Sequence, residues 1–169
     1  MGDNIDHIIS ANQEYAKEFG KKSDLGAPPL RRLAVLTCMD ARLEPLEFLG
    51  LELGDAHMIR NAGGRASDDA IRSIVISNTH LGTNELLIIH HSECGMEGFT
   101  QQEMGELLKE KLNTIEGEFV NWLSIADRIE SVKSDAIHIR HHPLVSKEIK
   151  ISGYLFNTKT GLLQEVITL

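Results

Sequence analysis

Two cysteines and one histidine stand out in this sequence as side chains that could bind a metal ion together. Cys38 is the first cysteine of the chain, and His91 and Cys94 form an H-x-x-C pair. One turn of chain can direct both side chains of such a pair at a single ion. Two thiolates and one imidazole suit zinc, and catalytic zinc sites usually have three protein ligands and an open position for water. The thiolates would balance the charge of the ion, and zinc would make a bound hydroxide available near neutral pH.

A carboxylate and a guanidinium follow Cys38 closely, at Asp40 and Arg42. A carboxylate beside an open zinc site either ligates the metal and blocks it, or accepts a hydrogen bond from the bound hydroxide. Arg42 could decide between these states, because a guanidinium grips a carboxylate with two hydrogen bonds. We therefore expect Asp40 to orient the hydroxide while Arg42 holds it, and to close the site when it is released.

The spacing of these residues also allows plainer interpretations. Cys38 and Cys94 could be buried free thiols, since unpaired cysteine is among the most buried residue types. Asp40 and Arg42 could form a surface ion pair that contributes about 0–1 kcal/mol. A zinc module without catalytic activity is a further interpretation, because structural zinc sites usually have four protein ligands and Asp40 could be the fourth. Spacing by itself leaves these alternatives open.

Apolar segments predict the strands that would position these side chains. The predicted strands are residues 33–37, 56–60, 86–89, 149–156 and 162–167, the last two forming a hairpin. Helical segments alternate with the first three strands, which predicts an α/β fold with a mostly parallel sheet flanked by helices. Cys38 follows the first strand, and His91 and Cys94 follow the third. Ligands of such sheets bind beyond the carboxyl ends of the strands, so we expect these residues to meet there.

Helical spacing and helix-ending residues predict the remaining elements. The predicted helices are residues 3–20, 45–49, 68–80, 100–116, 118–132 and 135–142. Phe119 and Trp122 lie at helical spacing, and we expect them to contact the core or a neighbouring subunit.

The length and charge of the chain narrow its class. Its 169 residues suit one domain, residues 1–169, that buries a core without disulfides. The net charge of −8 argues against nucleic acid or an anionic membrane as the main partner, because both attract basic surfaces. Residues 1–20 lack the basic start and apolar core of a secretory signal, and no apolar run is long enough to span a bilayer. We therefore expect a cytoplasmic protein whose thiols stay reduced.

Several motifs together resemble the beta-carbonic anhydrases, most closely the short prokaryotic-type branch of that family. The similarity is carried by the segments CMDARL (residues 38–43), GDAHMIRNAGG (54–64), LGT (81–83), HHSECGM (90–96), HPL (142–144), GYL (153–155) and TGL (160–162). The combined C-x-D-x-R and H-x-x-C-G pattern is specific to the family.

The resemblance implies a role for individual residues. Three match the zinc ligands, with one ion per subunit: Cys38, His91 and Cys94. Two match the catalytic dyad: Asp40 and Arg42. Three match a loop at the substrate pocket: Ala62, Gly63 and Gly64. Members of the family assemble as obligate dimers or higher oligomers, so we expect a homodimer or a tetramer of dimers in which the N-terminal helix packs on the partner subunit.

The resemblance also implies an activity, namely zinc-dependent hydration of carbon dioxide to bicarbonate by a metal-bound hydroxide. Some relatives with the same ligands and dyad instead hydrolyse carbonyl sulfide or carbon disulfide to hydrogen sulfide and carbon dioxide. All three substrates are small, neutral, linear triatomics with an electrophilic carbon, so pocket shape must select among them. Gly64 is a hint toward a sulfur substrate, because the position varies in the family and the sulfur-substrate enzymes often have glycine there.

Overall fold

A five-stranded sheet forms the centre of the computed structural model, which describes residues 4–169. The strand order is β2-β1-β3-β4-β5. The strands are β1 (Leu33–Cys38), β2 (Ala56–Asn61), β3 (Glu85–His91), β4 (Lys150–Phe156) and β5 (Leu163–Thr168). β1 pairs with β2 and β3, and β3 with β4, in parallel, whereas β4 and β5 form an antiparallel hairpin. The predicted fold class and C-terminal hairpin are confirmed.

Within residues 4–169, α-helices precede, connect and flank these strands. They are α1 (Asn4–Lys17), α2 (Pro45–Leu49), α3 (Asp68–Thr79), α4 (Gln101–Leu112) and α5 (Arg128–His141). Short 3-10 turns lie at Gly20–Asp24, Ala62–Gly64, Gly95–Glu97 and Glu116–Glu118. The side chains of Ser67, Thr100 and Asp127 cap α3, α4 and α5 by accepting a backbone N–H of the first turn. None of the helices in the described part of the chain is long and apolar enough to cross a membrane.

Strands β1 and β3 are apolar on both faces, and one apolar cluster forms on each side of the sheet. Successive residues of a strand point to opposite faces. One cluster contains Leu36 and Ile88 together with apolar residues of α3 and α5. The other contains Val35 and Ile89 together with both cysteines. The candidate metal ligands are therefore embedded at the end of an apolar cluster.

The helical prediction for residues 118–132 is wrong before residue 128, and the break predicted before residue 135 is absent. The single helix α5 covers the second part of this region. Leu123 has a left-handed backbone with a φ of 53°, which a right-handed helix does not contain. Asp127 caps the true start of α5 by accepting the N–H of Glu130 at 2.9 Å.

The ends of two other helices also differ from the prediction. α1 ends at Lys17 rather than at residue 20, and its predicted first residue, Asp3, lies outside the described residues. α4 ends earlier than predicted because Asn113 adopts a left-handed backbone, with a φ of 51°. Phe119 is 78% exposed in this chain, so it is not a core residue, and its contact with a neighbouring subunit remains a prediction.

Candidate metal centre

The three candidate metal ligands converge at the carboxyl edge of the sheet. Cys38 is the last residue of β1 and His91 the last residue of β3, and these strands are parallel neighbours. Cys94 reaches the same point through a short loop. The candidate ligand atoms all lie within 4.8 Å of one another, and all three residues are buried. Two parallel strands that end side by side produce this convergence.

The two sulfur atoms belong to free cysteines at a separation that suits a shared ion. Cys38 Sγ and Cys94 Sγ are 3.9 Å apart, far beyond a disulfide bond length of about 2.05 Å. In a tetrahedral zinc site with Zn–S bonds of about 2.3 Å, two sulfurs lie about 3.8 Å apart. The spacing of the two thiols therefore fits zinc.

Hydrogen bonds around the two sulfurs favour one thiolate over two. The Cys94 thiol and the backbone N–H groups of Asp40 and Gly63 point hydrogen bonds at Cys38, and the His91 ring lies beside it. Together they outweigh the cost of burial and lower the pKa of Cys38 to about 4. The contact with Cys38, together with burial, raises the pKa of Cys94. Because two adjacent thiolates repel each other, a cation between the sulfurs is needed to stabilise both.

His91 has the tautomer and orientation of a metal ligand. Its ring is 1% exposed, and Nδ1 lies 3.0 Å from the backbone oxygen of Ser92. Since a carbonyl only accepts, Nδ1 carries the proton and Nε2 keeps a free lone pair. Nε2 is buried and has no hydrogen-bond partner among the described residues. Burial disfavours the charged ring, but the adjacent Cys38 sulfur outweighs this effect and raises the pKa of His91. A buried nitrogen of this kind, next to two sulfurs, fits a zinc site.

Arg42 grips Asp40 with a bidentate ion pair beside this cluster. Arg42 Nε donates to Asp40 Oδ1 at 3.0 Å, Nη2 donates to Oδ2 at 2.8 Å, and the Arg42 backbone N–H donates to Oδ1 at 2.9 Å. These hydrogen bonds hold the pKa of Asp40 well below its usual range. Asp40 Oδ2 lies 3.8 Å from His91 Nε2, so the carboxylate stands next to the candidate ligands while Arg42 holds it.

Arg60 fixes the backbone that carries Asp40, a contact that the sequence analysis missed. Its Nε donates to the Cys38 carbonyl at 3.0 Å, and its Nη2 donates to the Asp40 carbonyl at 2.8 Å. Arg60 reaches these atoms because it lies opposite Thr37 in the parallel pairing of β1 and β2. Only the register of the two strands could have revealed this contact, and the sequence motif around Arg60 does not specify that register.

Gly63 and Gly64 form a turn that packs against the end of β1. Both have a left-handed backbone, with φ of 81° and 67°. A Cβ atom on Gly64 would lie 2.8 Å from the Thr37 carbonyl carbon and 2.9 Å from the Cys38 nitrogen, which is closer than such atoms approach. Glycine at position 64 therefore has a packing reason that is independent of any substrate. Contact of Ala62, Gly63 and Gly64 with a substrate remains a prediction.

Known proteins share both the sequence and the fold of this chain. A family model described as carbonic anhydrase matches residues 33–163. Beta-carbonic anhydrase 1 of Mycobacterium bovis is 37% identical over 163 residues, which cover 95% of this chain and 96% of that protein. The chain belongs to the beta-carbonic anhydrase family.

Two further relatives in the beta-carbonic anhydrase family are similar to this chain, one in structure and one in sequence. The crystal structure of a carbonic anhydrase from Streptococcus mutans superimposes with a TM-score of 0.90 at 42% identity, covering 99% of each chain. A carbon disulfide hydrolase from Acidianus sp. (strain A1-3) is 30% identical over 183 residues, which cover 95% of this chain and 90% of that protein. This beta-carbonic anhydrase family member is thus an enzyme of the carbonic anhydrase type.

A buried ion pair supports the ligand strand β3 of this carbonic anhydrase homologue. Arg65 donates to Asp135 Oδ2 at 2.8 Å and to Oδ1 at 3.1 Å. His90 Nε2 lies 3.2 Å from Asp135 Oδ2, and His90 Nδ1 lies 3.0 Å from Ser131 Oγ. Burial disfavours the charged carboxylate, but the contacts with His90 and Arg65 outweigh it and lower the pKa of Asp135. This cluster anchors α5 to β3 beside His91. In the sequence, only the neighbouring histidines His90 and His91 indicated it.

Glu97 forms another carboxylate–arginine pair near Cys94. Arg128 Nε donates to Glu97 Oε1 at 2.7 Å, and Nη2 donates to Oε2 at 2.8 Å. The Cys94 backbone N–H also points to Glu97 Oε1, at 3.4 Å. The loop after Cys94 is therefore tied to the start of α5. Local spacing predicts Arg128 near the end of a helix over residues 118–132, whereas Arg128 is the first residue of α5, and the pair with Glu97 depends on that helix start.

Proposed function

We propose that this chain binds one zinc ion per subunit through Cys38, His91 and Cys94, and that it hydrates carbon dioxide to bicarbonate. The observation that carries the proposal is the buried group of two sulfurs and one ring nitrogen, with Asp40 held beside it by Arg42. Three side chains, rather than four, are the donor set typical of a catalytic zinc site. The alternative of a non-catalytic zinc module would need Asp40 as a fourth ligand, and Arg42 grips that carboxylate instead.

Each residue of the proposed centre has its own task in the reaction. When bound, zinc supplies the Lewis acidity that makes water ionise near neutral pH. Cys38 and Cys94 bind the ion and balance its charge, and His91 binds through Nε2 as a neutral ring. Ionised Asp40 only accepts hydrogen bonds, so it orients the attacking oxygen with a lone pair toward the carbon of the substrate. Arg42 keeps Asp40 in this role by holding both carboxylate oxygens.

Hydrolysis of carbonyl sulfide or carbon disulfide is the second candidate function. The similarity to a carbon disulfide hydrolase along almost the whole chain favours it. The proposed ligands and dyad do not discriminate between the candidates, because the same attack on carbon serves all three substrates. The packing of Gly64 against Thr37 and Cys38 accounts for the glycine with either substrate class, so position 64 does not separate the two candidates.

Side-by-side turnover of the substrates separates the two candidates. One zinc-loaded sample is assayed with carbon dioxide by stopped-flow pH change, and with carbonyl sulfide and carbon disulfide by release of hydrogen sulfide. We expect the largest kcat/KM for carbon dioxide. A larger kcat/KM for either sulfur compound would replace hydration by sulfide-releasing hydrolysis as the function. Failure of the sample to turn over any of the three compounds would contradict both candidates.

We further propose that residues 1–169 form one domain, and that α1 packs on a partner subunit in a homodimer or a tetramer of dimers. None of the residues of α1 is buried in the single chain, and Ile8 and Ile9 are 55% and 53% exposed. An apolar helix face of this kind is unfavourable in water unless another surface covers it. We expect the Ile8→Glu, Ile9→Glu double variant to sediment as a monomer and the wild type as an oligomer; an unchanged mass would contradict this role of α1.

A reducing, cytoplasmic location belongs to the same proposal, because zinc binding needs both thiols free.

A further inference from the structure

The turn of the C-terminal hairpin contacts the loop that precedes Cys94. Thr158 donates its backbone N–H to Ser92 Oγ at 3.0 Å, and the two hydroxyl oxygens are also 3.0 Å apart. Lys159 Nζ lies 3.0 Å from Glu93 Oε2, and the Thr158 hydroxyl lies 3.3 Å from the same oxygen. The hairpin therefore holds the side chain of Glu93 in place, although it contributes no candidate metal ligand.

Glu93 contacts Arg42 with both its backbone and its side chain. Arg42 Nη2 donates to the Glu93 carbonyl at 3.0 Å, and Arg42 Nη1 lies 3.6 Å from Glu93 Oε2. Glu93 itself has a left-handed backbone, with a φ of 57°, which is uncommon for a residue with a side chain. Strained backbone of this kind is often found at functional sites, and here it lies between two candidate metal ligands.

The contacts of Arg42 with Asp40 and with Glu93 use different N–H groups. Asp40 accepts from Nε and from Nη2. The Glu93 carbonyl also accepts from Nη2, which has two N–H groups, and the Glu93 carboxylate faces Nη1. The two acidic residues therefore do not compete for the guanidinium. Glu93 holds the part of it that Asp40 leaves unused.

We propose that Glu93 is a positioning residue that keeps Arg42 in the orientation that grips Asp40. The inference rests on the proposed function, because it concerns the state of Asp40 beside the zinc ion. The side chain of Arg42 is half exposed, so contacts on one side alone leave it free to turn into solvent. Without the charge of Glu93, Arg42 turns away more often and Asp40 has more opportunity to bind the metal. Lys159 fixes Glu93, so the hairpin acts on the dyad through this residue.

Variants that change the charge of Glu93 test the proposal by turnover. Glu93→Gln keeps the shape and removes the charge, and Glu93→Lys reverses the charge. Glu148→Gln is the matched control, because Glu148 is exposed and precedes β4 at the opposite edge of the sheet. The energy of an exposed ion pair is small, so we expect Glu93→Gln to lower kcat/KM by a factor of about 1.4 to 5. Glu93→Lys should lower it further, and the control should match the wild type.

The absorption spectrum of the Co(II)-substituted protein gives a readout besides turnover. A carboxylate that replaces water on Co(II) changes the ligand field and therefore the visible absorption bands. Arg42→Ala, in which Asp40 is fully released, provides the reference spectrum of the closed site. We expect the spectrum of Glu93→Gln to move from that of the wild type toward this reference, whereas Glu148→Gln should show the wild-type spectrum.

A charge swap separates positioning from a purely structural tie between the loop and the hairpin. The Glu93→Lys, Lys159→Glu double variant restores an ion pair with the hairpin but leaves a positive side chain beside Arg42. We expect its stability to urea to recover while kcat/KM stays low. Recovery of kcat/KM together with stability would overturn the proposal, as would a Glu93→Gln protein with wild-type kcat/KM and spectrum. Full turnover by Arg42→Ala would instead overturn the proposed function, so the two failures are distinguishable.

Discussion

Replacing Gly64 with alanine should loosen the end of β1 and weaken metal binding at Cys38. The left-handed φ of 67° at Gly64 disfavours a residue with a Cβ atom by about 1–2 kcal/mol. The new Cβ would also lie 2.8 Å from the Thr37 carbonyl carbon and 2.9 Å from the Cys38 nitrogen. These are backbone atoms, so the contact is relieved only if the strand moves, and such overpacking costs about 1–3 kcal/mol. The expected loss in the free energy of unfolding is therefore about 2–5 kcal/mol.

Gly82 provides a matched control for this substitution. Its φ of 78° is also left-handed, but a Cβ atom added there would have no heavy atom of the described residues within 4 Å beyond its chain neighbours. Gly82→Ala therefore carries the backbone cost of about 1–2 kcal/mol without the overpacking. The difference between the two variants measures the contact of Gly64 with β1.

Urea unfolding and chelator competition measure the two effects of the Gly64 substitution. The protein concentration must be the same for all variants, because association stabilises the folded chain. We expect Gly64→Ala to be less stable than Gly82→Ala by about 1–3 kcal/mol, and we expect only Gly64→Ala to bind zinc more weakly than the wild type. Equal stability and equal zinc affinity of the two variants would refute the reasoning that Gly64 lets the turn approach the end of β1.

Three further predictions concern the ligands, the dyad and the buried ion pair. Cys94→Ala should lose stoichiometric zinc and all activity, as measured by metal analysis and carbon dioxide turnover; full activity would show that the site is misassigned. Arg42→Ala should keep its zinc, but its kcat should fall about 100-fold or more, because Asp40 is then free to occupy the metal; loss of a catalytic hydrogen-bonding group has an effect of this size. A normal kcat would contradict the dyad role. Asp135→Asn should lower the free energy of unfolding by about 3–5 kcal/mol, because it leaves Arg65 buried and without its charged partner. The pKa of Asp135 is lowered in the folded state, so its contribution is present above the unfolded value of about 3.9 and is lost as the pH falls through the folded pKa. The stability difference between the wild type and Asp135→Asn should therefore shrink as the pH falls below the unfolded pKa of about 3.9, and a constant difference there would contradict this account.

The sheet and the meeting of the candidate ligands could be predicted because local and long-range rules agree there. The apolar segments of β1 and β3 leave little choice but buried strands, and alternating helices favour parallel pairing. Parallel strands that are neighbours end at the same edge, which brings the side chains of Cys38 and His91 together. The resemblance to the beta-carbonic anhydrases points to the same residues independently.

The contacts that the sequence analysis missed are those between side chains and distant segments. Arg60, Arg65 and Arg128 look like ordinary surface charges in the sequence, yet each binds a group on another element. A long arginine side chain finds its partner through strand register and helix packing, and local periodicity carries no information about either. The helical prediction failed before residue 128 because apolar spacing was given more weight than the capping residue Asp127.

The position of β3 inside the sheet has a consequence for the order of events during synthesis on the ribosome. The three candidate ligands all belong to the first part of the chain, but β4, the outer neighbour of β3, and Thr158, which bonds the loop before Cys94, are translated much later. A nascent chain that stops before residue 150 therefore presents two thiols and an imidazole on an unfinished scaffold. We expect metal loading to be a post-translational step that waits for the last strands to dock.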